Sequence, residues 1–155
     1  MSKSANAKGP SLKGEEIQAA VLRRLKRYDD LNFFERFAMF MGIAQILELQ
    51  LKQLLERQFG VPIEKTEKKT LGQVSRALRE RGLRSDFLFL LDSVVEYRNH
   101  VAHELLASQF MLTSLGAGKA RFETRILDRA TYELEQLWFL YEWTEQHNAW
   151  QSATV

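Results

Sequence analysis

A chain of 155 residues, 45% apolar and carrying a net charge of +2, has the size of one globular domain with a continuous core. The absence of cysteine excludes disulfides and thiolate chemistry and suits a reducing cytoplasm, while so weak a charge permits a nucleic-acid partner without arguing for one. No apolar run reaches the roughly 18 residues of a membrane span, so no membrane association is expected.

Residues 1–13, small, polar and basic, lack a signal peptide's apolar centre and read as a disordered arm. The expectation is therefore a soluble, cytoplasmic protein with one domain over residues 14–150 and a short tail at 151–155. A first helix is predicted over 14–28, with Glu15 and Glu16 in its first turn at the positive end of the dipole. A longer one spans 31–58 and closes at Gly60. Residues 61–69, which include Pro62, read as a charged loop. "TLGQ" is a capping box, with Thr70 as N-cap and Gln73 reaching back, and opens a short helix that Gly82 ends. Ser85 is expected to cap the next helix, over 86–107. The segment 108–124 has two glycines and no clear period, so it reads as a loop with a brief extended piece. A final helix is predicted over 126–149. The sequence is that of an all-α protein, an up-and-down bundle of four to five helices.

The helix over 86–107 carries "EYRNHVAHE", residues 96–104, with two of the three histidines of the chain. On a wheel of about 100° per residue with Arg98 at zero, Phe87, Leu91, Val94, Val95, Ala102 and Leu105 all fall within about 60° of it. Arg98 thus stands in the middle of an apolar stripe, where an unpaired charge costs several kcal/mol. His103 falls about 140° away in the same construction, alongside Asn99, Asp92 and Glu96.

Two readings follow. Glu48 lies by the same construction in the stripe of Phe37, Met41, Ala44, Leu51 and Leu55, so a buried Arg98–Glu48 pair would satisfy two misplaced charges. Alternatively, Arg98 faces a cleft or dimer interface, where its planar fork binds a phosphate. His103 would then move protons there, since imidazoles titrate near neutrality. The readings overlap, because Glu48 could orient Arg98 for such work.

The run Arg98-Asn99-His100-Val101-Ala102-His103 resembles the signature of the HEPN superfamily (higher eukaryotes and prokaryotes nucleotide-binding). That signature is an arginine, commonly followed by a polar residue, with a histidine several positions on. The setting is similar too: the motif lies late in a long helix of an all-α chain, after a long apolar helix and the short "TLGQ" helix. The resemblance covers about residues 15–149. It implies a dimeric, metal-independent endoribonuclease, with Arg98 and His103 in the catalytic positions and Asn99 in a supporting one. It also implies RNA as substrate, no cofactor, and a prokaryotic toxin–antitoxin or defence setting, in which a nucleotidyltransferase-like antitoxin would be the partner. HEPN proteins also include inactive members that bind nucleotides or serve as dimerising modules, which is the alternative for this chain.

Other features carry less. His100 lies about 200° from Arg98 on the wheel and reads as a flank residue that could also touch substrate. His147 reads as a surface residue. His100 and His103 with Glu104 are a poor metal site. Seven basic residues between Lys65 and Arg84 suit an RNA backbone, but suit the solvated face of a short helix slightly better. Trp138, Phe139, Tyr141 and Trp143 have the density and helical spacing of core or dimer contacts. No glycine-rich phosphate loop, nucleophile elbow or triad signature is present.

Overall fold

The computed structural model describes residues 11–114 and 120–151. The protein is an all-α bundle, and no strand occurs among the described residues. Helix α1, Gly14–Leu25, runs into a 3-10 turn at Lys26–Tyr28. Helix α2, Phe33–Phe59, opens on a capping box in which Asn32 Oδ1 accepts from the Glu35 N–H at 2.9 Å. It closes on Gly60, whose φ of 66° is left-handed, a conformation that costs a side-chain-bearing residue. The segment expected as a loop holds a single helical turn, α3, Ile63–Thr66, started by Pro62 and pinned by Thr66 Oγ1 donating to the Ile63 carbonyl.

Helix α4, Leu71–Glu80, begins with the expected Thr70–Gln73 box, and Gly82 turns the chain with a φ of 75°. Helix α5 is Ser85–His100. Its N-cap is Arg84 rather than Ser85, because the Arg84 N–H is drawn to the Trp150 carbonyl at 3.0 Å and the helix starts one residue early. After α5 the rod does not stop near residue 107. A π-helical turn, Val101–Leu105, leads into α6, Leu106–Ser114. The glycines that suggested a loop stand at 116 and 118, beyond this helix and outside the described residues. A π turn spends an extra residue, which shifts the phase of every later apolar position and hides α6 from a constant-period reading. Helix α7, Ala120–Gln146, likewise begins earlier than expected.

Ion pairs fix the helix directions. Arg36–Asp128 and Arg57–Glu145 tie both ends of α2 to the matching ends of α7, so these two run parallel. Arg24–Glu142 and Tyr28–Glu135 set α1 antiparallel to α7. Helix α5 starts beside the end of α7, with Phe87 edge-on to Trp150, and also runs antiparallel to it. The long helices therefore alternate up and down. Their core joins Phe40, Leu47, Leu51 and Leu54 of α2 to Leu78, Phe87, Leu91 and Val94 of α4 and α5. Leu127, Leu134 and Leu137 complete it from α7.

The N-terminal arm is expected over residues 1–13, but Leu12 already packs against this core; residues 1–10 lie outside the described residues. At the other end, Gln151 bridges to Leu83 and holds the start of the expected tail; residues 152–155 lie outside the described residues. No helix among the described residues is long and apolar enough to cross a membrane.

Candidate functional site

The α5–π–α6 rod carries the motif at the end of the bundle where α2 and α7 begin. Phe34 of α2 meets Phe110 of α6 there, ring centroids 5.6 Å apart. Phe87, Leu91 and Val94 of α5 are fully buried, as are Val101 and Leu105 in the π turn, so Arg98 leaves the helix from the apolar stripe as expected. The residue is half-buried, a setting in which a long arginine stem can cover apolar surface while its head stays in water. Among the described residues, Arg98 makes no hydrogen bond or ion pair.

The Arg98–Glu48 pair is not formed. Glu48 accepts from Lys52 Nζ at 2.9 Å, and Lys52 Nζ also donates to the Glu67 carbonyl at 2.9 Å. Lys52 is only 6% exposed, so α2 carries its own buried cation and Glu48 neutralises that one, four residues away on the same face. The Glu–Lys spacing in "LELQLKQ" was the available signal.

His103 and Asn99 are exposed, and His103 has no hydrogen bond or ion pair among the described residues. His100 is half-buried, with Nδ1 3.1 Å from Glu104 Oε2. The π turn changes the angular relation of the motif. A turn closed from residue i to i+5 advances only about 80° per residue, so the divergence of His103 from Arg98 falls from about 140° to roughly 80°. Asn99 and His103 then lie side by side, each about a quarter turn from Arg98, while His100 and Glu104 lie toward the far side of the rod. The sequence gives no sign of this turn. About two helix turns beyond His103, Phe110 and Met111 are exposed, and Phe110 meets the exposed Phe34 at this end of the bundle.

The other candidates resolve into structure. Within the basic stretch, Arg79 is paired with Asp92, Arg84 with Asp86, and Arg81 donates to the Ala77 carbonyl. Lys65 of α3, Lys68 in the turn after it and Arg76 of α4 remain exposed to solvent. Trp138 stacks on Tyr141, which is buried and packs against Trp150. His147 is exposed, stacked on Trp143, with Nδ1 2.7 Å from the Trp143 carbonyl. Among the described residues, no group of three or more His, Asp or Glu side chains is placed to hold a metal ion. Comparison of the chain with family models, curated proteins and solved structures returned no match.

Proposed function

We propose that the protein is a metal-independent endoribonuclease of the HEPN type, acting as a dimer, with Arg98 and His103 as its catalytic residues. The observation that carries the reading is the guanidinium of Arg98. It emerges from an apolar stripe without a partner among the described residues, on the arc toward which a π turn swings the exposed imidazole of His103. An arginine kept so is available to an anion, and its fork suits phosphoryl oxygens.

The chemistry is transesterification. An imidazole removes the proton from a ribose 2′-OH, the oxygen attacks the adjacent phosphorus, and the bond to the 5′ oxygen breaks. A second imidazole protonates that oxygen, leaving a cyclic phosphate and a free 5′-OH. Arg98 offsets the charge that builds on the phosphoryl oxygens, a large share of catalysis in such sites. The required 2′-OH makes RNA the substrate. The exposed patch of Phe34, Phe110 and Met111 beside the motif supports the pairing of two copies around it. A toxin–antitoxin or defence setting in the cytoplasm, with a nucleotidyltransferase-like antitoxin as partner, extends this reading by resemblance.

The test is cleavage of RNA in EDTA by wild type, Arg98→Ala and His103→Ala, with the product ends identified. Cleavage to cyclic phosphates that both substitutions abolish supports the assignment. Cleavage surviving both overturns it, and a folded dimer that cleaves no RNA establishes the non-catalytic binding module instead.

A further inference from the structure

We propose that Lys68 and Lys69, in the turn that leads into α4, hold the RNA backbone beside Arg98, gripping the phosphate next to the one that is cleaved. The inference rests on the ribonuclease reading above and adds substrate-binding residues to it.

Two contacts fix how α4 lies on α5. A side-chain carbon on Gly72 would stand 3.4 Å from Val95 Cγ1, and Ser75 Oγ donates to Asp92 Oδ1 at 2.8 Å. The two helices are therefore antiparallel, and the start of α4 lies toward the motif. Leu88, Asp92, Val95 and Asn99 are spaced by four, three and four residues, so they form one column of α5. Helix α4 covers this column as far as Val95 and begins there. Asn99, next in the column, is exposed, and the π turn sets the exposed His103 beside it.

The turn before α4 borders that uncovered stretch. Lys69 is three residues ahead of Gly72, at most about 10 Å along the chain. Arg98 is three residues beyond Val95, about 4.5 Å along the helix axis. The turn itself is pinned. The Glu67 carbonyl accepts from the buried Lys52 Nζ at 2.9 Å, and the Lys69 N–H donates to the Thr66 carbonyl at 2.9 Å. The Thr70 N–H donates to Gln73 Oε1 at 2.9 Å. Lys68 is exposed and Lys69 half-buried, and neither is ion-paired among the described residues. Glu64 and Glu67 offset part of the charge of this stretch, so the proposal falls on the two lysines nearest α4. No free acid of α5 intervenes: Asp92 is taken by Arg79 and Ser75, and Glu96 lies beyond Asn99 from Arg98. Ammonium groups placed so attract a phosphate whatever base it carries.

The experiment compares wild type with the double variant Lys68→Gln/Lys69→Gln, each as the full chain, on a short single-stranded RNA. Cleavage gives kcat and KM, and binding is followed across salt concentrations in a His103→Ala background. Lys26→Gln, an exposed lysine at the end of α1, is the control. The double variant should raise KM on the order of tenfold with kcat within about twofold, and flatten the slope of log affinity against log salt by about 1.4, the value for two single-strand contacts. Lys68→Arg/Lys69→Arg should restore both, and Lys26→Gln should change neither. An unaltered KM and salt slope, with Arg98→Ala inactive, overturns the proposal and leaves the ribonuclease reading standing. So does an equal effect in Lys26→Gln, or a loss of kcat that the arginine pair does not restore. A wild type that cleaves no RNA removes the reading, and the proposal with it.

Discussion

The Tyr28 hydroxyl, in the turn that ends α1, donates a 2.6 Å hydrogen bond to Oε1 of Glu135 on α7. The Glu135 side chain is fully buried, Arg27 pairs with the same oxygen, and Arg24 Nη1 stands 3.9 Å from the other. A carboxylate withdrawn from water is costly unless it is paired, and all three partners come from the α1 segment. Glu135 therefore clasps the first helix to the last.

Removing the acceptor leaves Tyr28 buried without its partner. Glu135→Ala should cost about 3 kcal/mol, and Tyr28→Phe about 1.5–3 kcal/mol, the range for a hydrogen bond to a charged group. Because the two share one bond, the double variant should lose less than the sum. Urea unfolding of the four proteins measures this, and additive losses would refute the clasp.

The same contact gives an alkaline signature. Burial, and then the hydrogen bond to the Glu135 carboxylate, push the Tyr28 phenol well above its ordinary value. The folded state therefore holds this proton more tightly than the unfolded chain. Stability from the group is fully present below about pH 10, the unfolded value, and is lost as pH rises beyond it. Urea midpoints above pH 10 should fall less steeply in Tyr28→Phe than in wild type. The buried Tyr141, shifted the same way by burial, adds to the slope in both proteins.

Glu48 and Arg98 should behave oppositely. Glu48→Ala strands the buried ammonium of Lys52, and a broken buried pair costs about 3 kcal/mol. Arg98→Met removes an unpaired charge from an apolar stripe and should leave stability within about 1 kcal/mol of wild type. Thermal unfolding of the two variants separates them. A large loss on Arg98→Met would restore the idea of a structural ion pair.

Asp86 sets a weak acid limb. The hydrogen bond from the Arg84 guanidinium holds its carboxyl below the usual carboxylate range, against the opposing effect of burial. A depressed value contributes stability above the unfolded value of about 3.9 that is lost as pH falls through the folded one. With the side chain 57% exposed, Asp86→Asn should cost under about 1 kcal/mol at pH 7. The gap between wild type and variant should close as the pH drops below about 3.9. A gap that widens in acid would contradict the pairing.

Much of the fold was legible because helix signals are local. The Thr70–Gln73 box, Gly60 and Gly82 as stops, and the apolar stripe containing Arg98 depend on neighbours within a few residues, and each stands where the chain predicts it. The partner of Glu48 was misjudged because a wheel orders side chains around one axis but does not rank partners on other helices against one four residues away. Helix α6 was missed for a related reason: its phase is set after an extra residue in the backbone at Val101–Leu105, and no residue type there announces a π turn.

The sequence by itself determined the all-α class, the helix stops and the presence of a cation amid apolar positions, since these follow from backbone propensity and periodicity. The structure alone decided which charges pair across helices, that Arg98 stays unpaired among the described residues, and how far the π turn rotates His103. Pairing across helices is set by distances between elements, which no short stretch of the chain encodes.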